Sequence, residues 1–386
     1  MSTPQEITFN PEQQEAIEAI VKWFDGWINK RHRKQTFFLT GRAGTGKTSL
    51  ARAAAARCCH EYSTVFIAPT GKAASRLRQK GCKGAKTLHQ FIYNPRGEDE
   101  EGNPIFVDKA TLDDRPRLVV LDEASMVGAY DMAALLRHGI AVLQLGDLGQ
   151  LQPVKAPPSL SPEAVDFELT EIMRQAAESN IIRAAGFVRE GKRLPLREYN
   201  DVRIRDGRPS LDELLEHYKE NAQILCSYNN TRVAINNQIR EAIGFKGDQP
   251  NVGEKVMCWF NQHSYNFMNG EQAIVIGFED LPESDVDQND PDELMYMRIR
   301  SLTDGREKRV KYNPLSFSRD EEARNEALKN VGGFQYGGCC TIHKSQGSEW
   351  DNVLVMEEMM GDYAKLQYTA YTRAAKMLTV YRQGRR

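Results

Sequence analysis

Residues Gly41-Arg42-Ala43-Gly44-Thr45-Gly46-Lys47-Thr48 fit the pattern G-x-x-x-x-G-K-[ST] at every position. Thr36 to Thr40 before them reads as a short buried strand, and the Ala-rich run from Ser49 to Arg57 reads as a helix. A strand, a glycine-rich turn and a helix in that order open a parallel α/β layer, the setting the motif needs. The glycines let the loop curl its backbone N–H groups round a phosphate chain, and the helix N-terminus adds a positive dipole end. Lys47 reaches β- and γ-phosphates, and Thr48 ligates Mg²⁺. The bland alternative is a chance glycine-rich turn, which the flanking strand and helix disfavour. The motif therefore implies a bound nucleoside triphosphate.

The 386 residues suggest two to three domains. Net charge is −2, so no global positive field announces nucleic acid, and any such site is a local groove. One balancing segment, Glu279 to Glu293, is rich in acids and reads as a solvated loop between strands. The seven cysteines show no C-x-x-C or paired Cys/His spacing, which argues against structural zinc and disulfides and for a reducing, cytoplasmic compartment. The N-terminus is polar and acidic rather than a signal peptide, and no apolar run approaches the ~18 residues of a membrane span.

Asn10-Pro11-Glu12-Gln13 opens a helix whose apolar stripe runs from Ala16 to Ile28. Four apolar strands are expected at Phe37–Leu39, Val65–Ala68, Leu118–Leu121 and Ala141–Leu145, separated by helices. Between Ala85 and Arg117 the pattern breaks and suggests an inserted hairpin with Pro95 and Phe106. A second α/β unit begins near Ser179, with a strand at Gln223–Cys226 and a helix from Asn230 to Ile243. From Gly253 to Leu315 the runs Lys255–Phe260, Glu271–Phe278, Met295–Ser301 and Arg306–Val310 read as a small β insertion. The α/β unit resumes at Cys340.

Val119-Val120-Leu121-Asp122-Glu123 is an apolar strand ending in two carboxylates. A buried strand delivers such residues to the sheet's C-terminal edge, beside the phosphate loop. Asp122 would hold Mg²⁺, and Glu123 would orient or deprotonate the attacking water. The bland reading is a helix N-terminus that favours acids. Gly146-Asp147-Leu148-Gly149-Gln150 repeats the logic, with Gln150 sensing the γ-phosphate; an ordinary turn is the alternative. Arg174 and Arg373 are candidate charge stabilisers, read at strand-to-helix or helix-start segments, against the commoner fate of a solvated surface arginine.

These motifs together resemble superfamily 1 helicases, in the RecD-like and phage Dda-like branch (superfamily 1B), over Phe9 to Tyr381. Thr341-Ile342-His343-Lys344-Ser345-Gln346-Gly347-Ser348-Glu349 is similar to their motif V, and Tyr368 to Ala374 to their motif VI. The resemblance implies ATP as the nucleotide, with Gln13 at the adenine and Gly347 and Glu349 by the ribose. Arg174 and Arg373 would complete the site from across a cleft. It also implies single-stranded DNA held by Pro69, Thr70, Thr87 and His89 on one domain. Asn229, Asn269, Thr341, His343 and Lys344 would hold it on the other. The hairpin with Pro95 and Phe106 resembles the Dda separation pin, with hairpin core as the even-handed alternative for Phe106. The chain departs from that branch at Gly71, at Gly338-Cys339-Cys340 and in a shorter β insertion.

The expected architecture is α/β, with two RecA-like P-loop NTPase domains, a β-hairpin pin and a small SH3-like β-barrel. The first domain spans 1–178 with the pin at about 90–115. The second spans 179–252 and 335–386, with the barrel at 253–334. The expected activity is ATP-dependent unwinding of forked DNA, with 5′→3′ polarity implied by the branch alone. A single-strand-binding protein is a candidate partner and a monomer is expected; the absence of a long N-terminal domain argues against a subunit of a large complex. The rivals are a P-loop kinase or switch NTPase, a subunit active only inside a recombination complex or with a vestigial ATPase, and a motor on RNA.

Overall fold

A computed structural model describes residues 8–98, 104–113, 115–153, 156–173, 178–260, 267, 269–279, 295–330 and 333–382. The acidic stretch expected as a loop lies outside these residues from 280 to 294. Two compact units make up the chain. One lies within residues up to 182, and the other holds residues from 183 onward together with 70–72 and 95–106. Among the described residues no helix is long and apolar enough to cross a membrane.

The first unit opens with helix α1 (Pro11–Ile28). Asn10 and Gln13 close a reciprocal capping box, with Gln13 N donating to Asn10 Oδ1 at 2.7 Å and Asn10 N donating to Gln13 Oε1 at 3.1 Å. Ala16, Ile17, Ile20, Trp23 and Phe24 form its buried stripe. Strands β1 (Thr36–Gly41), β2 (Thr64–Ala68) and β3 (Lys86–Thr87) follow, with helices α2 (Lys47–Cys58), α3 (Gly71–Gln79) and α4 (Leu88–Ile92). Strands β4 (Tyr93–Glu98) and β5 (Pro104–Asp108), largely made of the residues 95–106 that group with the other unit, pair with each other as a two-stranded sheet. Then come β6 (Leu118–Leu121), α5 (Ala129–Leu136), β7 (Ala141–Gly146) and β8 (Phe167–Leu169).

The main sheet has the order β3-β2-β6-β7-β1-β8, and the pairings are parallel. Its strands are apolar on both faces because both faces are covered. Phe37 and Leu39 of β1 pack with α1 and α2 in one cluster, while Phe38 between them packs in the cluster of α4 and α5. All four strands expected from the sequence are present. The short edge strands β3 and β8 carry too few apolar residues to announce themselves.

The second unit contains α6 (Asn180–Arg189), β9 (Arg197–Glu198), β10 (Val202–Asp206), α7 (Leu211–Glu216), β11 (Ala222–Cys226) and α8 (Asn229–Ile243). Next are β12 (Lys255–Cys258), β13 (Gln272–Glu279), β14 (Met295–Ser301), β15 (Glu307–Tyr312), α9 (Glu321–Asn330) and β16 (Phe334–Tyr336). The chain closes with β17 (Cys339–Thr341), β18 (Trp350–Glu357), α10 (Tyr363–Tyr371) and β19 (Ala374–Arg382). One sheet, ordered β17-β11-β18-β19-β10-β9, is parallel except for the β9–β10 pair. The other, ordered β15-β14-β13-β12-β16, is antiparallel and encloses Val256, Phe267, Val275, Met297, Ile299 and Phe334. The strand expected over Lys255–Phe260 ends at Cys258, which leaves Trp259 and Phe260 beyond its ladder.

Where α8 meets the inserted sheet, Arg240 and Glu254 form an ion pair at 2.7 Å with side chains 5% and 2% exposed. Arg240 also donates to the carbonyls of Gly247 and Gln249 and lies 4.0 Å over the Tyr336 ring. Burial pushes the Glu254 carboxyl above its ordinary range, and Arg240 pulls it back. Replacing Arg240 by Met leaves that carboxylate out of water with no cation. The expected loss is about 3–5 kcal/mol of unfolding free energy, read by urea denaturation. A loss below about 1 kcal/mol would mean that the pair does not hold this junction.

Candidate functional site

Strand β1 ends at Gly41, and the chain turns back through Gly44 and Gly46 at φ +83° and +80°. That left-handed backbone is open to glycine and strained for other residues. Gly46 caps α2 without any side-chain hydrogen bond, so the first amides of α2 form an anion site. A Cβ on Gly46 would lie 2.9 Å from Gln13 Nε2, so the glycine also permits close packing. Lys47 Nζ donates to the carbonyls of Gly41 at 2.6 Å and Arg42 at 3.0 Å. Thr45 is fully buried and donates its hydroxyl to Arg42 O. Gln13 both closes its helix cap and donates Nε2 to Thr45 O at 3.0 Å. The capping-box reading of Gln13 is met, and its carboxamide also reaches the glycine-rich loop. Met173, which the sequence did not single out, donates its N–H to Gly44 O at 3.0 Å. Arg174 itself lies outside the described residues.

Strand β6 delivers Asp122 and Glu123 to the same edge. Thr48 Oγ1 donates to Asp122 Oδ2 at 3.1 Å, and Glu123 N donates to Asp122 Oδ1 at 2.9 Å. Asp122 is half-buried. Loss of water around its carboxylate, then the charge of Glu123, pushes it above the ordinary range, while Lys47 pulls it down. Glu123 has φ +52°, an uncommon backbone for a residue with a side chain. At the end of β7, Asp147 accepts from Gly149 N at 2.9 Å, and Gln150 N donates to Asp147 O at 3.0 Å. Gln150 is 7% exposed.

Among the described residues no group of three or more His, Cys, Asp or Glu side chains could hold a metal. The Thr48 hydroxyl and Asp122 carboxylate suit Mg²⁺, which keeps few protein ligands and takes its other oxygens from phosphates and water.

Parallel pairing brings the ends of β2 and β3 to this edge as well. Pro69 and Thr70 follow β2 and are half-buried. Thr87 ends β3 and accepts from Gln90 N as the cap of α4. His89 lies on α4, 3.9 Å from Asp131 and 5.3 Å from the Tyr93 ring. Pro95 is in β4, and its side chain is outside the described residues. Phe106 in β5 is half-buried, between exposed Ile105 and Val107.

In the second unit β11 and β17 end side by side, with Cys226 paired to Thr341. Asn229 begins α8 and accepts from Arg232 Nε at 3.2 Å. That helix start is occupied by an acid: Glu358 accepts from the N–H groups of Ser227 and Tyr228 and from the Thr231 hydroxyl. Burial lowers the His343 pKa, which favours the neutral imidazole. Lys344 Nζ donates to Trp259 O at 2.7 Å and to Asn269 Oδ1 at 2.9 Å, so two expected strand contacts are bonded to each other. Gly347 has φ +73°, and Glu349 is exposed. Arg373 lies in the turn from α10 into β19, a correction to the expected strand-to-helix or helix-start segment. It is 3% exposed, and its guanidinium donates to Thr369 O, Ser348 O and Thr372 Oγ1.

A family model described as an AAA domain matches residues 8–225, and one described as a UvrD-like helicase C-terminal domain matches 336–381. The ATP-dependent RecD2 DNA helicase of Deinococcus radiodurans is 29% identical over 363 residues, which cover 87% of this chain and 45% of that protein. The chain spans less than half the length of the curated relatives that cover most of it. The crystal structure of Pif1 helicase from Candida albicans matches with a TM-score of 0.55 at 20% identity, over 97% of this chain and 94% of that one. Pif1 helicase from Bacteroides in complex with ADP-AlF3 and ssDNA matches with a TM-score of 0.57 at 18% identity, over 97% and 92%. At such identities the likeness is one of fold.

The raised Asp122 carboxyl makes a pH-dependent test of this edge. A carboxyl raised by folding favours the folded state only below its unfolded pKa, and that benefit is lost as pH rises through the folded value. Asp122→Asn should therefore raise the melting temperature of the ligand-free protein at neutral pH, by about 2–4 °C for each kcal/mol relieved. The gain should vanish at pH values where the carboxyl is protonated in both states. An unchanged or lower melting temperature at pH 7 would mean that this carboxylate is already compensated.

Proposed function

This chain belongs to the superfamily 1B helicases of the RecD, Pif1 and Dda type, and from that membership we propose an ATP-driven motor on single-stranded DNA that separates duplex strands. The observation that carries the reading is the Thr48–Asp122 contact of 3.1 Å at a glycine-rich loop whose Lys47 donates to the backbone carbonyls of Gly41 and Arg42. That is a triphosphate cradle with its acid and its cation in reach.

In this reading the α2 amides and Lys47 take the phosphates, Lys47 exchanging the carbonyls of Gly41 and Arg42 for phosphate oxygens. Thr48 and Asp122 would hold Mg²⁺, which neutralises charge on the β- and γ-phosphates when bound. Glu123 orients the attacking water and accepts its proton, and Gln150 senses the γ-phosphate. Gln13 presents its carboxamide to the adenine, and Gly347 and Glu349 approach the ribose. Arg174 and Arg373 neutralise the transferring phosphoryl group. Pro69, Thr70, Thr87, His89, Asn229, Asn269, Thr341, His343 and Lys344 hold the strand through hydroxyls, amides and rings. Pro95 and Phe106 belong to a pin at the fork, and the inserted sheet is an SH3-like barrel. The reading extends to 5′→3′ polarity, a monomeric motor, a single-strand-binding protein as partner, and work in replication, recombination or repair.

Single-stranded DNA is expected to stimulate ATP turnover, and added salt to weaken that stimulation steeply. Glu123→Gln should bind ATP and turn over far more slowly. A forked duplex with a 5′ or a 3′ tail reads both unwinding and direction. Turnover indifferent to saturating oligonucleotide at low salt would refute the motor and favour a simple NTPase.

Arg373→Ala gives a second readout. Its guanidinium donates to Thr369 O, Ser348 O and Thr372 Oγ1, so a melting curve is read beside turnover to separate lost packing from lost chemistry. The expected loss in kcat is about 10³–10⁵, with ATP affinity changed much less. A loss under about tenfold, roughly 1.4 kcal/mol of barrier, would make Arg373 a structural tie between motifs V and VI.

A further inference from the structure

Trp259 and Phe260 follow β12 and belong to none of the motifs above. Phe260 is 43% exposed, whereas Phe267 and Phe334 of the same insertion are fully buried, so its ring is not part of that core. The ring is nevertheless fixed. It lies against Gly333, where a Cβ would come within 2.6 Å of Phe260 Cδ2, and Trp259 N donates to Gly333 O. Two cations flank the pair of rings. Lys344 Nζ is 4.5 Å from the Trp259 ring centre and 5.4 Å from that of Phe260, and the Arg232 guanidinium is 4.7 Å from Trp259. Lys344 also donates to Trp259 O, which ties these rings to the motif V turn.

We propose that Phe260, backed by Trp259 and the Lys344 ammonium, is a stacking shelf for one base of the single strand. The inference rests on the reading that single-stranded DNA is the track. A rigid ring with an open face accepts any base, because every base has a π-face, and neighbouring cations favour a polyanion over an apolar peptide. Half-buried Trp259 orients the shelf, and Lys344 holds the loop onto motif V. Lys344 is thus a positioning residue, and the base contact belongs to Phe260.

The test compares binding of the full chain to oligo-dT and to an abasic oligonucleotide of equal length, by fluorescence anisotropy at two salt concentrations. Phe260→Ala should weaken oligo-dT by about fivefold or more, the low end of a base–aromatic stack, and change abasic binding by less than about twofold. The salt slope should be unchanged, because no phosphate contact is lost. Phe260→Leu, which keeps apolar bulk without an aromatic face, should behave like Ala, and Phe260→Trp should restore binding. Equal binding of oligo-dT by parent and Phe260→Ala overturns the shelf. So does a parallel loss on both oligonucleotides, or a Leu variant that binds like the parent. If the parent binds neither oligonucleotide, the track reading fails and the shelf fails with it.

Discussion

Parallel strand pairing is the constraint from which the rest of the structure follows. Strands that run the same way end on the same side, and because both faces of each sheet are covered, polar chemistry is confined to that edge. In the first unit the edge collects the ends of β1, β2, β3, β6 and β7, so Gly41, Pro69, Thr87, Asp122 and Asp147 share one rim although they are spread along the chain. In the second unit the same rule sets Cys226 beside Thr341. Spacing in sequence is the product of crossover lengths, whereas adjacency at the rim is the product of strand order.

Three cations at these rims donate to neutral acceptors. Lys47 rests on Gly41 O and Arg42 O, Arg373 on Thr369 O and Ser348 O, and Lys344 on Trp259 O and the Asn269 amide oxygen. A cation drawn off a carbonyl leaves a neutral acceptor, at a cost of about 1–3 kcal/mol if that group is left unsatisfied. A cation drawn off a buried carboxylate leaves an uncompensated charge, which costs about 3–5 kcal/mol. Arg240 is held in the second way by Glu254 and is correspondingly fixed.

Much of this was legible in the sequence. The apolar runs Phe37–Leu39, Val65–Ala68, Leu118–Leu121 and Ala141–Leu145 are strands because only a doubly covered sheet hides runs without alternation. Asn10 and Gln13 form the capping box that their spacing announces. What stayed hidden depends on contacts far apart in sequence. Met173 reaches Gly44, Glu358 caps a helix that begins at Asn229, and Trp259 meets Lys344. No local pattern encodes such pairs. The sequence marks Arg373 by its motif but not by its turn, because a helix end reads much like a helix start when neither carries Gly or Pro.

Glu123 shows why the nucleotide edge is costly to maintain. Its φ of +52° is a conformation that glycine adopts freely and that costs a residue with a side chain about 1–3 kcal/mol. Next to it, Asp122 carries a carboxylate raised by desolvation. Glycine at 123 would relieve the strain, and asparagine at 122 would relieve the charge. Neither would disturb the apolar packing of β6, whose four residues are buried. Local stability therefore argues against both acids, and packing does not call for them. Both acids stand at the end of β6 beside the glycine-rich loop, where Thr48 donates to Asp122. The two acids at the end of β6 therefore stand at a cost to the ligand-free fold, in keeping with the nucleotide use of this family.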